Sequence, residues 1–142
     1  MTGVDFHIPW LPRPKQSFRY TQTGRKYTPA DVKEDQRSLA SLIEQHRPDK
    51  PLVGPLRFAM TIIYPWRKSE SKRVRALGLR PKGTKPDTDN LQKQVCDVLE
   101  RMGFFENDAQ IAQSNVAKFW GDAVGTRIAV NEIDWMEATD DR

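Results

Sequence analysis

Asp87, Asp89 and Asp108, with Lys93 close to the first two, are residue types suited to metal-assisted phosphodiester chemistry. Asp87 and Asp89 stand one residue apart in Lys85-Pro-Asp-Thr-Asp-Asn-Leu-Gln-Lys93, and Asp108 follows in Glu106-Asn-Asp-Ala-Gln110. Two acids at that spacing repel unless solvent or a cation separates them. Hard cations such as Mg2+ and Mn2+ choose oxygen ligands and keep several waters, so two or three carboxylates plus a substrate phosphate make a workable shell. Lys93 adds a cation where negative charge would develop on phosphate oxygens. A purely structural account competes with this one. A helix N-terminus stabilises a nearby carboxylate without a metal, which covers Asp89, and Glu-Asn-Asp also reads as an ordinary turn.

The elements around these residues decide whether they can meet. Pro86 biases Lys85 towards extended geometry, and Asp-x-Asp-Asn carries favoured N-caps, so a helix begins here. Leu91, Val95, Val98, Leu99 and Met102 recur at helical spacing, and Gly103 suits the C-terminal cap. Asp89, Lys93 and Asp97 fall on the opposite face. Asp108 opens the run Ala109 to Trp120, read as a strand. The turn Gly121-Asp122 and the run Val124 to Ile133 then complete an expected β-hairpin.

Upstream, Val4 to Trp10 reads as a first strand, ended by Pro9, Pro12 and Pro14. Thr28-Pro29 reads as the start of a helix reaching about His46, with Val32, Leu39, Leu42 and Ile43 inward. His46 near its C-terminal end suits the dipole and is taken as structural. Leu56 to Tyr64 alternates apolar and mixed residues and should be a central strand. The expected fold is α+β: a single domain over residues 1–142, with a small mixed β-sheet of about four strands and two main helices on one face.

Charge is unevenly distributed. Residues 66–86 hold eight Lys or Arg against Glu70 alone, while the rest of the chain holds more acids than bases. A basic stretch on an otherwise acidic chain is the footprint expected for a phosphate backbone, although such runs are often only solvated loops. The DNA-binding candidates are Lys68, Lys72, Arg73, Arg75, Arg80, Lys82 and Lys85, with Lys15 and Arg19 in a polar loop that also carries Phe18 and Tyr20. At its length, the basic segment should be a mobile loop that DNA orders. A single cysteine, Cys96, excludes an internal disulfide, and His7 and His46 offer no zinc spacing. No apolar run approaches a membrane span and no secretory signal opens the chain, so a cytoplasmic, DNA-associated protein is expected. No Walker A loop is present, and no nucleotide cofactor is expected.

The pattern Lys85-Pro-Asp87-x-Asp89-Asn90-Leu91-x-Lys93, then Asp97, Gly103-Phe104 and Asp108-Ala-Gln110-Ile111, resembles the RusA family of Holliday junction resolvases, often encoded by phages or prophages. A fainter likeness covers Ile8-Pro9-Trp10 and Arg19-Tyr20 through Gly24-Arg25. The resemblance implies a homodimeric, Mg2+-dependent endonuclease acting on branched DNA in recombination and repair, cutting four-way junctions symmetrically. Asp87, Asp89 and Asp108 match the family's metal-binding acids and Lys93 its catalytic lysine. The chain departs from the pattern at Asn107, where the family commonly has a second aspartate, and in Lys15-Gln16-Ser17-Phe18, which lacks the usual asparagine. Phe104, Phe119 and Trp120 are candidates for a dimer surface.

Two other functions fit parts of the sequence. A binding module that has lost its chemistry would use the same basic face, with Asn107 marking the loss. A nucleotide-sugar transferase could use Asp-x-Asp for metal, but it would leave the basic segment unexplained.

Overall fold

A computed structural model describes residues 2–13, 19–20, 26–27 and 30–136 of the protein. The sheet is built around β4 (Leu56–Tyr64), whose period-two pattern puts Leu56, Phe58, Met60, Ile62 and Tyr64 on one buried face. β6 (Ile111–Gly121) runs parallel to β4 on one side and β7 (Gly125–Glu132) antiparallel on the other. β1 (Gly3–Ile8) pairs outside β7, and β5 (Leu79–Pro81) pairs outside β6, both antiparallel. The order β1-β7-β4-β6-β5 makes a mixed sheet of five strands.

The expected hairpin is therefore not formed. β6 and β7 are consecutive in sequence but flank β4, and the residues between them pass the end of that strand. Gly-Asp turn chemistry is local and cannot report that a strand synthesised some fifty residues earlier fills the gap. Parallel pairing of β4 with β6 needs a crossover, which the helical stretch between them provides.

Both main helices lie on the buried face. α1 (Ala30–Ile43) contributes Leu39 and Ile43 to the core, and α3 (Thr88–Arg101) contributes Leu91, Val95, Val98 and Leu99. Each of these side chains is 1% exposed or less, and burial of one such group contributes about 1.5–3 kcal/mol. Gly103, at φ 84°, ends α3 in a left-handed conformation that costs a glycine little. His46 ends a single 3-10 turn after α1 and stacks on Phe6, with ring centroids 4.4 Å apart. Phe104 is fully buried, so it is a core residue and not a dimer contact. Trp120 shares the helix-bearing face with Tyr64 and is half-buried, whereas Phe119 lies half-buried on the opposite face. Among the described residues neither main helix covers that second face, where Ala59, Thr61, Ala117 and Ala129 are half-buried and Arg57, Gln113 and Arg127 are exposed.

The basic segment carries local structure of its own. It folds into α2 (Lys72–Arg75), where the Ser71 hydroxyl accepts the Val74 N–H at 3.2 Å, and then into β5. Gly121 makes the pairing with β5 possible, since a Cβ there would sit 2.9 Å from Gly78 O. In the N-terminal region, β2 (Arg19–Tyr20) and β3 (Lys26–Tyr27) pair as a separate antiparallel ribbon. Lys15, Phe18, Thr28, Pro29 and the tail from Glu137 lie outside the described residues. Among the described residues, no helix is long and apolar enough to cross a membrane.

Candidate active site

Asp87 takes the N-cap position of α3 with extended backbone, and its carbonyl accepts the Leu91 N–H at 3.0 Å. An aspartate in that position ordinarily turns its carboxylate onto the amides of the first turn. Here the side chain makes no capping hydrogen bond and stays exposed. Asp89 follows in the first turn, also exposed, and the helix N-terminus favours negative charge at both. Lys93 is exposed one turn further on, on the face of Asp89. Asp87, Asp89 and Lys93 thus lie exposed on the first two turns of one helix.

Asp108 is placed elsewhere. It opens a short 3-10 turn between α3 and β6, and its N–H donates to Glu100 Oε1 at 2.7 Å. Glu100 comes eleven residues after Asp89, about 16 Å along the axis at ~1.5 Å per residue. The turn is fixed by neutral groups. Asn107 Oδ1 accepts the Ala109 N–H at 2.8 Å, and Gln110 Oε1 accepts the N–H groups of Glu106 and Asn107 at 3.1 and 3.0 Å. Asn107 therefore does structural work that needs no negative charge.

The charge of Asp108 is felt by the far half of α3. The Asp97 carboxyl is raised above its usual range by burial, opposed by Lys93 and reinforced by Asp108. The Cys96 thiol is pushed up to about 12, first by burial and then by Asp108 and Asp97. At that value it is protonated at neutral pH and is no nucleophile. Among the described residues, no three of His, Cys, Asp and Glu are grouped so as to hold a metal ion. Within one chain Asp87, Asp89 and Lys93 share the first turns of α3, whereas the Asp108 amide is tied to Glu100 near the other end of that helix.

The DNA-binding candidates also divide. Arg75 donates to Arg67 O at 2.9 Å and to Glu70 O at 3.2 Å, and Arg80 pairs with Glu70 at 2.7 Å, so both hold the segment's own fold. The hydrogen bond from Arg80, reinforced by Arg67, keeps the Glu70 carboxyl below its ordinary range. Lys82 does not face solvent as a DNA contact should. It is 8% exposed, with its ammonium 3.9 Å from the Trp120 ring centroid and 5.1 Å from that of Tyr64. Lys68, Lys72, Arg73 and Lys85 are exposed, and their side chains have no hydrogen-bond or ion-pair partner among the described residues. Lys15 is not described, and of Arg19 only the backbone is.

Lys118 was not among the sequence candidates, yet its ammonium contacts the segment leading into Asp87. A signal for it exists: Val116, Lys118 and Trp120 alternate along one strand, which places a lysine on the inward face.

A groove of about 710 Å³ runs between α1 and α3, lined by Lys33, Arg37, Lys93, Asp97 and Arg101 among others. The Gln94 side-chain nitrogen, in a residue that also lines the groove, is buried with no hydrogen-bond partner among the described residues.

The chain matches the family model described as endodeoxyribonuclease RusA over residues 9–131. It belongs to the RusA family. The RusA match spans β4, the basic segment, Asp87, Asp89, Lys93 and Asp108, and it makes this protein an endodeoxyribonuclease, a hydrolase of DNA phosphodiester bonds. Nucleotide-sugar transfer is thereby set aside. Among relatives, the chain is 29% identical over 126 residues to the uncharacterized protein YqaN of Bacillus subtilis strain 168, covering 85% of this chain and 87% of that one. It is 26% identical over 118 residues to the crossover junction endodeoxyribonuclease RusA of Escherichia coli K12, covering 83% of this chain and 84% of the relative.

Proposed function

We propose that the protein cuts four-way DNA junctions as a symmetric homodimer, with Asp87 and Asp89 of one chain and Asp108 of the second copy forming a site for Mg2+, for which Mn2+ can substitute. The observation that carries this is the Asp87 carboxylate, which sits at a helix N-cap and caps nothing. An acid left open beside a second acid, in a chain of this family, is suited to a cation. Support for the junction as substrate comes from the relatives named as crossover junction endodeoxyribonucleases.

A four-way junction has two-fold symmetry, so paired cuts call for two sites related by a dyad, and an isologous dimer supplies them. A dyad across the outer face of α3 sets the N-terminal end of one helix against the C-terminal end of the other, which is where Asp108 is anchored. The groove along that face, with both signs of charge on its walls, is where the second copy would seat. A divalent ion bound between the acids would polarise the scissile phosphate and lower the pKa of its bound water. The Lys93 ammonium stabilises charge on the phosphate oxygens. Lys68, Lys72, Arg73 and Lys85 grip the flanking backbone, releasing counterions, so binding weakens as salt rises.

The test is complementation. Asp87→Asn and Asp108→Asn homodimers should both bind a labelled four-way junction and fail to cut it. Co-expressed heterodimers of the two should regain one working site and nick one strand. If the mixture stays inert while each variant still dimerises, the shared site is wrong.

A further inference from the structure

The residues just before Asp87 are held by two lysines that the chemistry above does not use. Lys118 is in register with Ile62 on the helix-bearing face of the sheet. Its ammonium donates to Thr84 O and to Pro86 O, each at 2.6 Å. Lys82 takes hold of the same turn from β5: its ammonium donates to Thr84 Oγ1 at 2.7 Å and its N–H to Lys118 O at 2.9 Å. Lys118, after burial, is the largest influence lowering the Lys82 pKa, as expected of two neighbouring cations. Neither lysine has a carboxylate partner among the described residues.

A carbonyl oxygen lies in one plane with the Cα of the next residue. An ammonium on Pro86 O therefore sets the plane that carries the Asp87 Cα, and the bond to Thr84 O sets the plane entering Lys85. Ammonium suits this task because it offers three donors and no acceptor. It orients main-chain carbonyls without drawing on an acid.

We propose that Lys118 is a positioning residue for the acids at the α3 N-terminus: by clamping the main chain at Thr84 and Pro86, it presents Asp87 and Asp89 to a divalent cation with both carboxylates unoccupied. The proposal deepens the function given above and rests on it, but the clamp can be read without any cleavage.

Lys118→Met keeps the apolar stem and removes the ammonium. The amides of residues 84–90 should then exchange with solvent about tenfold faster or more, while those of β4 keep their protection. The Mg2+ concentration for half-maximal cutting should rise about 10- to 100-fold, as when a group that orients metal ligands is lost. Junction affinity measured without Mg2+ should stay within about twofold, since no phosphate contact is removed. Lys118→Arg, which retains cationic donors, should fall between wild type and Lys118→Met in both exchange and Mg2+ requirement. Unchanged exchange at 84–90 overturns the clamp. An unchanged Mg2+ requirement with weakened junction binding overturns it too, and makes Lys118 a phosphate contact instead. If wild-type protein cuts no junction at all, the proposed function fails, yet the exchange result still decides whether Lys118 holds this turn.

Discussion

The two ends of α3 use acidic residues in opposite ways. At the N-terminal end, Asp87 and Asp89 are exposed and Asp87 caps nothing, while the chain leading into them is fixed by lysine ammonium groups on main-chain carbonyls. At the C-terminal end, the Glu100 carboxylate itself fixes the chain by accepting the Asp108 N–H, and Asp97 is crowded enough that burial raises its pKa. Where cations and neutral groups hold the backbone, carboxylates remain available to an external cation. Where a carboxylate holds the backbone, it is no longer available. Asp108 belongs to both regimes, with its amide fixed by Glu100 and its side chain exposed.

The contrast can be broken by mutation. The largest effect belongs to Asp89→Asn, which should reduce cutting of a labelled four-way junction below detection while binding is kept. Measurable cutting at the wild-type rate would make the N-terminal end no different from the other. Lys93→Ala should lower the rate at saturating DNA by about 10²- to 10³-fold, the range for losing a group that stabilises transition-state charge. A change in affinity alone would assign it to DNA binding. Glu100→Ala removes the acceptor for Asp108 N–H and should cost about tenfold in rate, at the low end for a supporting contact. Glu100→Gln keeps an acceptor oxygen and should restore most of it, and an equal loss in both would mean that the negative charge at Glu100 matters and not its hydrogen bond.

The smallest effect is local and pH-dependent. Glu70 has a folded pKa below its ordinary value because Arg80 bonds its carboxylate. Its contribution is therefore present above the ordinary carboxylate range and is lost as pH falls through the depressed value. Amide protection in residues 66–81 should weaken on acidification in the wild type, and Glu70→Gln should show the weakened state already at neutral pH. Protection independent of pH in both would show that the ion pairs do not hold the segment.

Local patterns carried far in this chain and then stopped at a definite point. Alternation along Leu56 to Tyr64 and helical spacing from Leu91 to Met102 each reflect a single buried face, and both were legible. The insertion of β4 between β6 and β7 was not, because strand order depends on pairing between distant segments and Gly121-Asp122 reports only a turn. Among the basic residues, composition could not separate Lys72 and Arg73, which face solvent, from Arg75 and Arg80, which bind Glu70 or main-chain oxygens. Spacing put Asp87, Asp89 and Lys93 at the start of one helix, and α3 carries all three. It could not place Asp108, whose position depends on where the chain goes after Gly103.

The order β1-β7-β4-β6-β5 also governs when the protein can assemble. β7, at residues 125–132, supplies partners to both β1 and β4, so the N-terminal strand waits with its edge unsatisfied until nearly the whole described chain exists. Contacts this distant in sequence slow folding. A ribosome would therefore hold the first strand exposed until residues 125–132 have been made.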